Sequence, residues 1–315
     1  MKSNRYKILH SNLEAVGNTP LVELKTVVPA TGATVLLKLE SFNPTCSYKD
    51  RMALAMIEEA EKRGDLRPDM TVVEYTGGST GSSLAFVCAA KGYKFVVVSS
   101  DAFAEEKLRT MKAFGADLHI VPSEGGMITS DLIPRMMEWA DELAKSENTY
   151  YTNQFYNRDS LVGYENIGRE LLEQVDRRID VYCGGVGTAG MLMGVSRVLK
   201  VSIPDIKIVG FEPATSAVIS TGQAGTHHVE GIGVGFVPPL LDSAGYDEIR
   251  RIDEKQGREM AQRLAKEEGI LVGTSSGVNV TGALQLAQEL GEGKTVITVA
   301  VDSGLKYLAG DLFDN

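Results

Sequence analysis

The pattern that most restricts this chain is a repeating unit: a short apolar run, a small polar loop, then a stretch with helical spacing. VLLKLE (35–40) passes through NPTCSYK into DRMALAMIEEAEKRG (50–64). TVVEY (71–75) precedes GSSLAFVCAAKG (81–92), and KFVVVSS (94–100) precedes AEEKLRTMKAFG (104–115). DLHIVP (117–122) precedes a helix expected near 129–146. The second half repeats the arrangement, with DVYCGG (180–185) before AGMLMGVSRVLK (189–200), then KIVGFEP (207–213). It continues through a helical EKQGREMAQRLAKEEG (254–269), ILVG (270–273) as a strand, a helical VTGALQLAQELG (280–291) and TVITVAVD (295–302). Short apolar runs separated by helices predict parallel strands buried on both faces. Such crossovers build doubly wound α/β sheets, and two clusters of them predict two such domains. The Gly-rich segment 214–252, containing GIGVGFVPP, is expected to form a long irregular surface loop.

In folds of this kind a ligand sits beyond the carboxyl ends of the strands, where each loop enters its helix. Here those loops are NPTCSYKD, TGGSTG, GGVGTAG and TSSG. All are small and polar and most are Gly-rich, which describes one cleft for a small molecule bearing anionic groups. A net charge of −10 argues against a nucleic-acid partner. No apolar run reaches the length that spans a bilayer, and the opening MKSNRYK lacks the apolar core of a signal peptide. Cys46, Cys88 and Cys183 are too few and too scattered for a disulfide framework or a zinc site. They fit a reducing, cytoplasmic setting with no metal.

Each loop has a plain reading beside a chemical one. Ser47 can cap a helix that begins near Lys49, which would then be an exposed first-turn residue. The first turn is the positive end of the helix dipole, so a charged lysine is disfavoured there by a few tenths to about 1 kcal/mol. A lysine at that place gains if its amine is uncharged. GGVGTAG carries Gly185, Gly187 and Gly190 in the spacing G-x-G-x-x-G, after a strand and opening a helix. Backbone amides can approach a phosphate there. Glu212 even satisfies the ribose-binding clause of the dinucleotide fingerprint, so the motif leaves a dinucleotide and a smaller phosphate ester both open. In TGGSTG the hydroxyls of Thr76, Ser79 and Thr80, interleaved with Gly77 and Gly78, exceed what capping needs and suit a carboxylate. Ser275 and Ser276 of TSSG are either caps or ligands.

Taken in order, these segments resemble the cysteine synthase (O-acetylserine sulfhydrylase) / cystathionine β-synthase family of fold type II pyridoxal-phosphate enzymes. NPTCSYKDR is similar to the family's N-P-T-G-S-x-K-D-R, and GNTPLVEL (17–24) resembles its opening signature. TGGSTG stands for T-S-G-N-T-G, NQF (153–155) for a Q-F pair, and GVGTAG for G-V-G-T-G-G. EGIGVGF (230–236) resembles Q-G-I-G-x-G-F, and EEGILVGTSSG (267–277) resembles a segment ending in S-S-G. The match spans nearly the whole chain.

The resemblance implies a tryptophan synthase β-like architecture with the cofactor cleft between two mostly parallel-sheet domains. The smaller would cover 39–155; the larger would cover 1–38 and 156–315 and carry the phosphate loop. Lys49 would hold pyridoxal 5′-phosphate as an imine. Gly185, Gly187, Thr188, Ala189 and Gly190 would cradle its phosphate, Met191 supplying a backbone donor at most. Ser275 would donate to the pyridine nitrogen. Thr76, Gly77, Gly78, Ser79, Thr80 and Gln154 would hold the substrate α-carboxylate, with Gly231 nearby and Ser79 also reaching the cofactor's 3′-oxygen. A neutral hydroxyl stabilises a pyridinium less than a carboxylate does, which favours loss of a β substituent over transamination. The implied reaction is β-replacement on an O-activated serine through an aminoacrylate, most simply O-acetylserine plus sulfide to L-cysteine, in a homodimer. No histidine lies in the matched loops, and His227 and His228 are read as loop residues.

The chain departs from the family pattern at Cys46 (for Gly), Gly77 and Ser79 (for Ser and Asn), and Ala189 and Met191 (for Gly and Thr). These leave open a β-elimination (serine or cysteine lyase) or a different amine or thiol nucleophile. An NAD-binding oxidoreductase built on Gly185–Gly190 leaves Lys49, TGGSTG and TSSG unexplained. A silent binding module that docks a carboxylate is the other alternative.

Overall fold

The computed structural model describes residues 8–127 and 131–314. Its strands in chain order are β1 (Leu21–Glu23), β2 (Thr34–Leu39), β3 (Thr71–Tyr75), β4 (Lys94–Ser100), β5 (Asp117–Val121), β6 (Thr149–Tyr151), β7 (Val181–Gly185), β8 (Lys207–Pro213), β9 (Glu248–Ile252) and β10 (Thr295–Ala300). The helices are α1 (Lys49–Arg63), α2 (Ser79–Lys91), α3 (Glu105–Ala113), α4 (Leu132–Leu143), α5 (Asp159–Gln174), α6 (Gly190–Ser202), α7 (Val218–Thr221), α8 (Glu254–Arg263) and α9 (Thr274–Leu290). The opening MKSNRYK and the start of the helix expected near 129–146 lie outside the described residues.

Two α/β domains with parallel sheets result, as the alternating pattern predicts. One sheet has the order β1-β2-β10-β7-β8-β9 and is parallel except for β1. The other has the order β5-β4-β3-β6 and is parallel throughout. Strands β7 and β10 are buried along their whole length, the burial that continuous apolar runs such as TVITVA require. Met52 and Met56 of α1, Leu84 of α2, Tyr164 of α5 and Val195 of α6 share one apolar core. A second core lies between β2, β7, β10 and α9, around Leu37, Cys183, Val278, Ala283 and Val296.

ILVG is not a strand. Val272 makes only an isolated antiparallel bridge to Ser303, and Gly304 N–H donates to Leu271 O at 3.0 Å. The segment is squeezed between Gly269, left-handed at φ 70°, and the start of α9. That helix begins at Thr274, six residues before the expected Val280, so TSSG is its first turn rather than a loop. Segment 214–252 is mostly irregular, yet it contains α7 and β9 and buries Val229, Ile232 and Leu240.

Candidate active site at the carboxyl edges of the two sheets

Each sheet has one point where the strand order reverses, the place where α/β sheets open a crevice. In the larger sheet it falls between β7 and β10; in the smaller, between β3 and β6. The loops leaving those four strands begin at Val186, Val301, Thr76 and Thr152. They, the loop after β2 and the start of α9 carry the residues that line the site.

Lys49 is the first residue of α1 and is 7 % exposed. The N-cap position is Tyr48, without a side-chain cap bond, and not Ser47; Ser47 Oγ, one residue earlier, accepts from Lys49 N–H at 3.2 Å. The residues after Lys49 clamp it in place. Asp50 accepts from the Thr45 backbone at 2.7 Å and from the Thr45 hydroxyl. Arg51 is gripped by Glu40 (2.7 Å) at the end of β2 and by Glu170 (2.6 Å) on α5. The opening GNTP joins the same network through Gly17 N–H to Asn43 Oδ1 (2.8 Å), Asn18 N–H to Glu170 (2.9 Å) and the Thr19 hydroxyl to Glu40 (2.7 Å). Lys49 Nζ itself has no hydrogen bond or ion pair among the described residues, only the Tyr48 ring 5.1 Å away. Burial brings its pKa down to about 8, opposed by the Glu74 carboxylate. Glu74, also buried, is raised to about 7 by desolvation against hydrogen bonds from Thr152 and the Gln154 amide.

The loop from Val186 to Ala189 is entirely buried. The backbone N–H groups of Gly187, Thr188 and Ala189 have no protein partner among the described residues, and they immediately precede the N-terminal turn of α6. Buried amides left in this state are rare unless a ligand takes them, and a helix N-terminus favours an anion. A Cβ on Gly187 would lie 2.1 Å from the Gly231 carbonyl oxygen, so the two glycines let the 230–236 loop close over the cradle. Gly185 N–H donates to Asn279 Oδ1 at 2.7 Å, and Asn279 Nδ2 donates to Val299 O at 2.8 Å. Asn279 therefore braces the loop from α9, and sequence reading missed it. The Met191 side chain turns into the core, where the Tyr182 hydroxyl meets its sulfur at 2.7 Å. The two serines of TSSG separate cleanly. Ser276 Oγ accepts from Val301 N–H at 2.9 Å, whereas the buried Ser275 hydroxyl has no partner among the described residues.

Thr76 to Thr80 run from the end of β3 into α2. The Thr80 hydroxyl donates to Gln154 Oε1 at 2.8 Å, bringing together two candidates that lie 74 positions apart. The Thr45 and Ser83 hydroxyls, 3.2 Å apart, tie this loop's helix to the lysine loop. Gly77 is forced by a neighbour: a Cβ there would sit 2.1 Å from the Phe103 ring. Phe103 thus occupies the space of the hydroxyl that the family pattern puts at this position.

Asp302, Lys306 and Phe103 escaped the sequence reading, although Asp302 follows a strand at a switch point. Asp302 pairs with the Ser47 backbone, two residues before Lys49, and its Oδ1 would be 2.8 Å from a Cβ on Gly273. Its Oδ2 lies 3.4 Å from Ser79 Oγ. Three loops therefore meet at this carboxylate. Glu212, by contrast, is spent on the α7 backbone, accepting from Ile219 N–H (2.8 Å) and Ser220 N–H (3.0 Å), which leaves none of it for a ribose. His227 binds the Gly233 carbonyl at 2.8 Å and so braces its own loop. Cys46 is half-buried and unpaired by disulfide. No group of metal-ligating side chains occurs among the described residues.

A family model described as pyridoxal-phosphate dependent enzyme matches residues 13–302. A curated cysteine synthase of Staphylococcus aureus is 43 % identical over 302 residues, covering 95 % of this chain and 96 % of that one. Among solved structures, a cysteine synthase from Entamoeba histolytica superposes with a TM-score of 0.92 at 34 % identity, covering 100 % of this chain and 94 % of the other. An O-ureido-L-serine synthase superposes with a TM-score of 0.90 at 36 % identity, covering 98 % and 96 %.

Proposed function

The chain belongs to the pyridoxal-phosphate dependent enzyme family, and from that premise we propose that it performs β-replacement on O-acetyl-L-serine, with sulfide giving L-cysteine. It is an enzyme, and its cofactor is pyridoxal 5′-phosphate. The observation that carries the reading is the buried, unpaired Lys49 amine among loops in which the amides of Gly187, Thr188 and Ala189 and the Ser275 hydroxyl lack protein partners among the described residues. The donor set fits the cofactor: free buried amides for a phosphate, an unpaired hydroxyl for a ring nitrogen, a neutralisable amine for an aldehyde. When bound, pyridoxal phosphate supplies an electron-accepting ring that acidifies the α-hydrogen of an attached amino acid.

The chain's own residues do the rest. The amides of Gly187, Thr188 and Ala189, with the α6 N-terminus, hold the phosphate, and Gly185, Gly190 and the Met191 amide shape its cradle. Ser275 donates to the ring nitrogen and, being neutral, keeps the ring a moderate electron sink. Thr76, Gly77, Gly78, Ser79, Thr80 and Gln154 take the α-carboxylate, and Gly231 closes the cleft above it. Lys49 Nζ, brought near neutrality by burial, accepts the α-proton of the donor. Acetate, released as the Cβ–O bond breaks, is a leaving group that needs little protonation, consistent with the loop-bound histidines.

We infer a division into a smaller domain over 39–155 and a larger one over 1–38 and 156–315, a homodimeric assembly and a cytoplasmic location. The free thiols of Cys46, Cys88 and Cys183 support the last, and no helix among the described residues is long and apolar enough to cross a membrane. Borohydride reduction of the yellow holoprotein, digestion and mass analysis should place the cofactor adduct on Lys49. Lys49→Ala should lower L-cysteine formation by about 10³-fold or more. An adduct on another lysine, or unimpaired turnover in the variant, would overturn the proposal.

A further inference from the structure

We propose that Glu74, near the carboxyl end of β3, is a positioning residue for the proton transfer: its buried carboxylate is the countercharge of the Lys49 ammonium and the brace that fixes Gln154. The inference rests on the reading of Lys49 as the proton acceptor and names the group that tunes it. Glu74 is 0 % exposed and forms no ion pair among the described residues. A lone buried carboxylate is costly unless donors surround it. Three do. Oε1 accepts from Tyr75 N–H at 3.0 Å, and Oε2 accepts from the Thr152 hydroxyl at 2.7 Å and Gln154 N–H at 3.0 Å. None of these donors is charged. A salt bridge would cancel the carboxylate's charge; neutral dipoles hold it in place and leave its field acting on the buried surroundings.

The same three bonds set up the donor site. Gln154 follows Asn153, which is held left-handed at φ 45°, and its N–H bond to Glu74 secures the loop after that turn. The Gln154 side chain then accepts from the Thr80 hydroxyl at 2.8 Å and donates to Tyr75 O at 3.4 Å. Without the carboxylate, Gln154 would loosen from the Thr76–Thr80 loop. The second partner is Lys49. Nothing but the Tyr48 ring, 5.1 Å away, meets its amine directly. Burial disfavours its ammonium, and Glu74 is the carboxylate that opposes this. The other titratable groups that feel Glu74 are the Tyr75 and Tyr151 phenols, which burial pushes up and keeps neutral. When Lys49 takes the α-proton it becomes a buried cation, and Glu74 compensates it. Desolvation lifts Glu74 itself to about 7, so its charge is present above neutrality and lost in acid.

The test uses Glu74→Gln, which keeps the length of the side chain and removes its charge. On cofactor-free protein, the pH midpoint of pyridoxal phosphate uptake should fall by about one unit below that of wild type, because Lys49 loses the charge that favours its ammonium. A purely structural defect acts the other way: an amine released into water titrates near its ordinary 10.5, and the midpoint rises. On holoenzyme, kcat for L-cysteine formation should fall about tenfold and the isotope effect of a donor deuterated at Cα should grow, since a weaker base slows the proton transfer. Loosening of Gln154 should raise KM for O-acetyl-L-serine about tenfold. Thr152→Val removes one donor to Oε2, so Glu74 holds its proton to higher pH and the uptake midpoint should fall by a smaller amount. That variant decides the matter if Glu74→Gln does not fold. An unchanged or raised midpoint in the folded variant overturns the inference. If wild type takes up the cofactor but makes no L-cysteine, β-replacement fails, and the midpoint shift still decides the pairing of Glu74 with Lys49.

Discussion

A first-turn lysine that is buried, unpaired and facing the positive end of a helix dipole is unstable as a cation, and each of those facts pushes its amine toward neutrality. The consequence can be measured on cofactor-free protein. Attack on the aldehyde of pyridoxal phosphate needs the neutral amine, and Lys49 has its pKa lowered by burial to about 8 rather than an ordinary 10.5. The rate of cofactor uptake, followed by absorbance, should rise about tenfold per pH unit below that value and level off above it. A rate still climbing toward pH 10 would mean that the lysine is solvated. At the same scale, two departures from the family pattern become readable. Cys46 (φ 57°) and Ala189 (φ 66°) replace glycines at left-handed positions, where a side chain costs about 1 kcal/mol or more. The sequence displayed both substitutions, but the backbone angle that gives them a cost is not encoded in any local pattern around them.

Elements with strong periodicity and flanking Gly-rich loops, such as β3 with α2 or β7 with α6, were legible because their burial is dictated by composition alone. Helix α5 was not, although it holds the site together. Its Glu170 grips Arg51, and its surface takes α1 on one side and α6 on the other. Its sequence, DSLVGYENIGRELLEQ, puts Gly163 and Gly168 inside a helix, which propensity discourages by about 1 kcal/mol each. The glycines are there for close approach. A Cβ at Gly163 would lie 2.2 Å from the Arg51 carbonyl oxygen and 3.1 Å from the Ala55 side chain. Gly194 of α6 makes the reciprocal approach, where a Cβ would lie 2.7 Å from the Leu161 carbonyl oxygen. Gly163→Ala should therefore push α1 outward and carry Lys49 with it. A loss of about 1–3 kcal/mol of stability is expected in urea unfolding, together with slower cofactor uptake. Wild-type values for both would mean that the α1–α5 crossing can relax without cost. The strand misread at ILVG failed for the opposite reason. Its apolar residues are real, but they pack beneath the exit of β10 instead of extending a sheet.

At the scale of the molecule, the two sheets present their switch points to a common region, and contacts cross between them at Ser79–Asp302, Ser79–Lys306 and Lys107–Glu230. Applying the switch-point rule to β10 as well as to β7 would have flagged DSG, the segment that begins at Asp302. The strand order that locates that reversal is a long-range fact, absent from sequence pattern. Held as proposed, covalently by α1 and through the amides before α6 and the start of α9, the cofactor would connect elements that otherwise meet through few polar contacts. It should therefore stabilise the fold as a whole, by about 2.7 kcal/mol at a free concentration of ~100 Kd. In a chain of this size that corresponds to a rise of several degrees in Tm. The phosphate cradle supplies the control. Gly187→Ala sets a methyl group against the Gly231 carbonyl at 2.1 Å and must move one loop or the other. The cofactor-free variant should melt lower than wild type, and the increment from added pyridoxal phosphate should largely vanish. The increment, rather than the absolute Tm, isolates the cradle, because an overpacked loop lowers both forms alike. If the variant kept the full increment, the amides of Gly187, Thr188 and Ala189 would not be the phosphate's anchor, and the coupling of the two sheets through the cofactor would have to run through Lys49 and the start of α9.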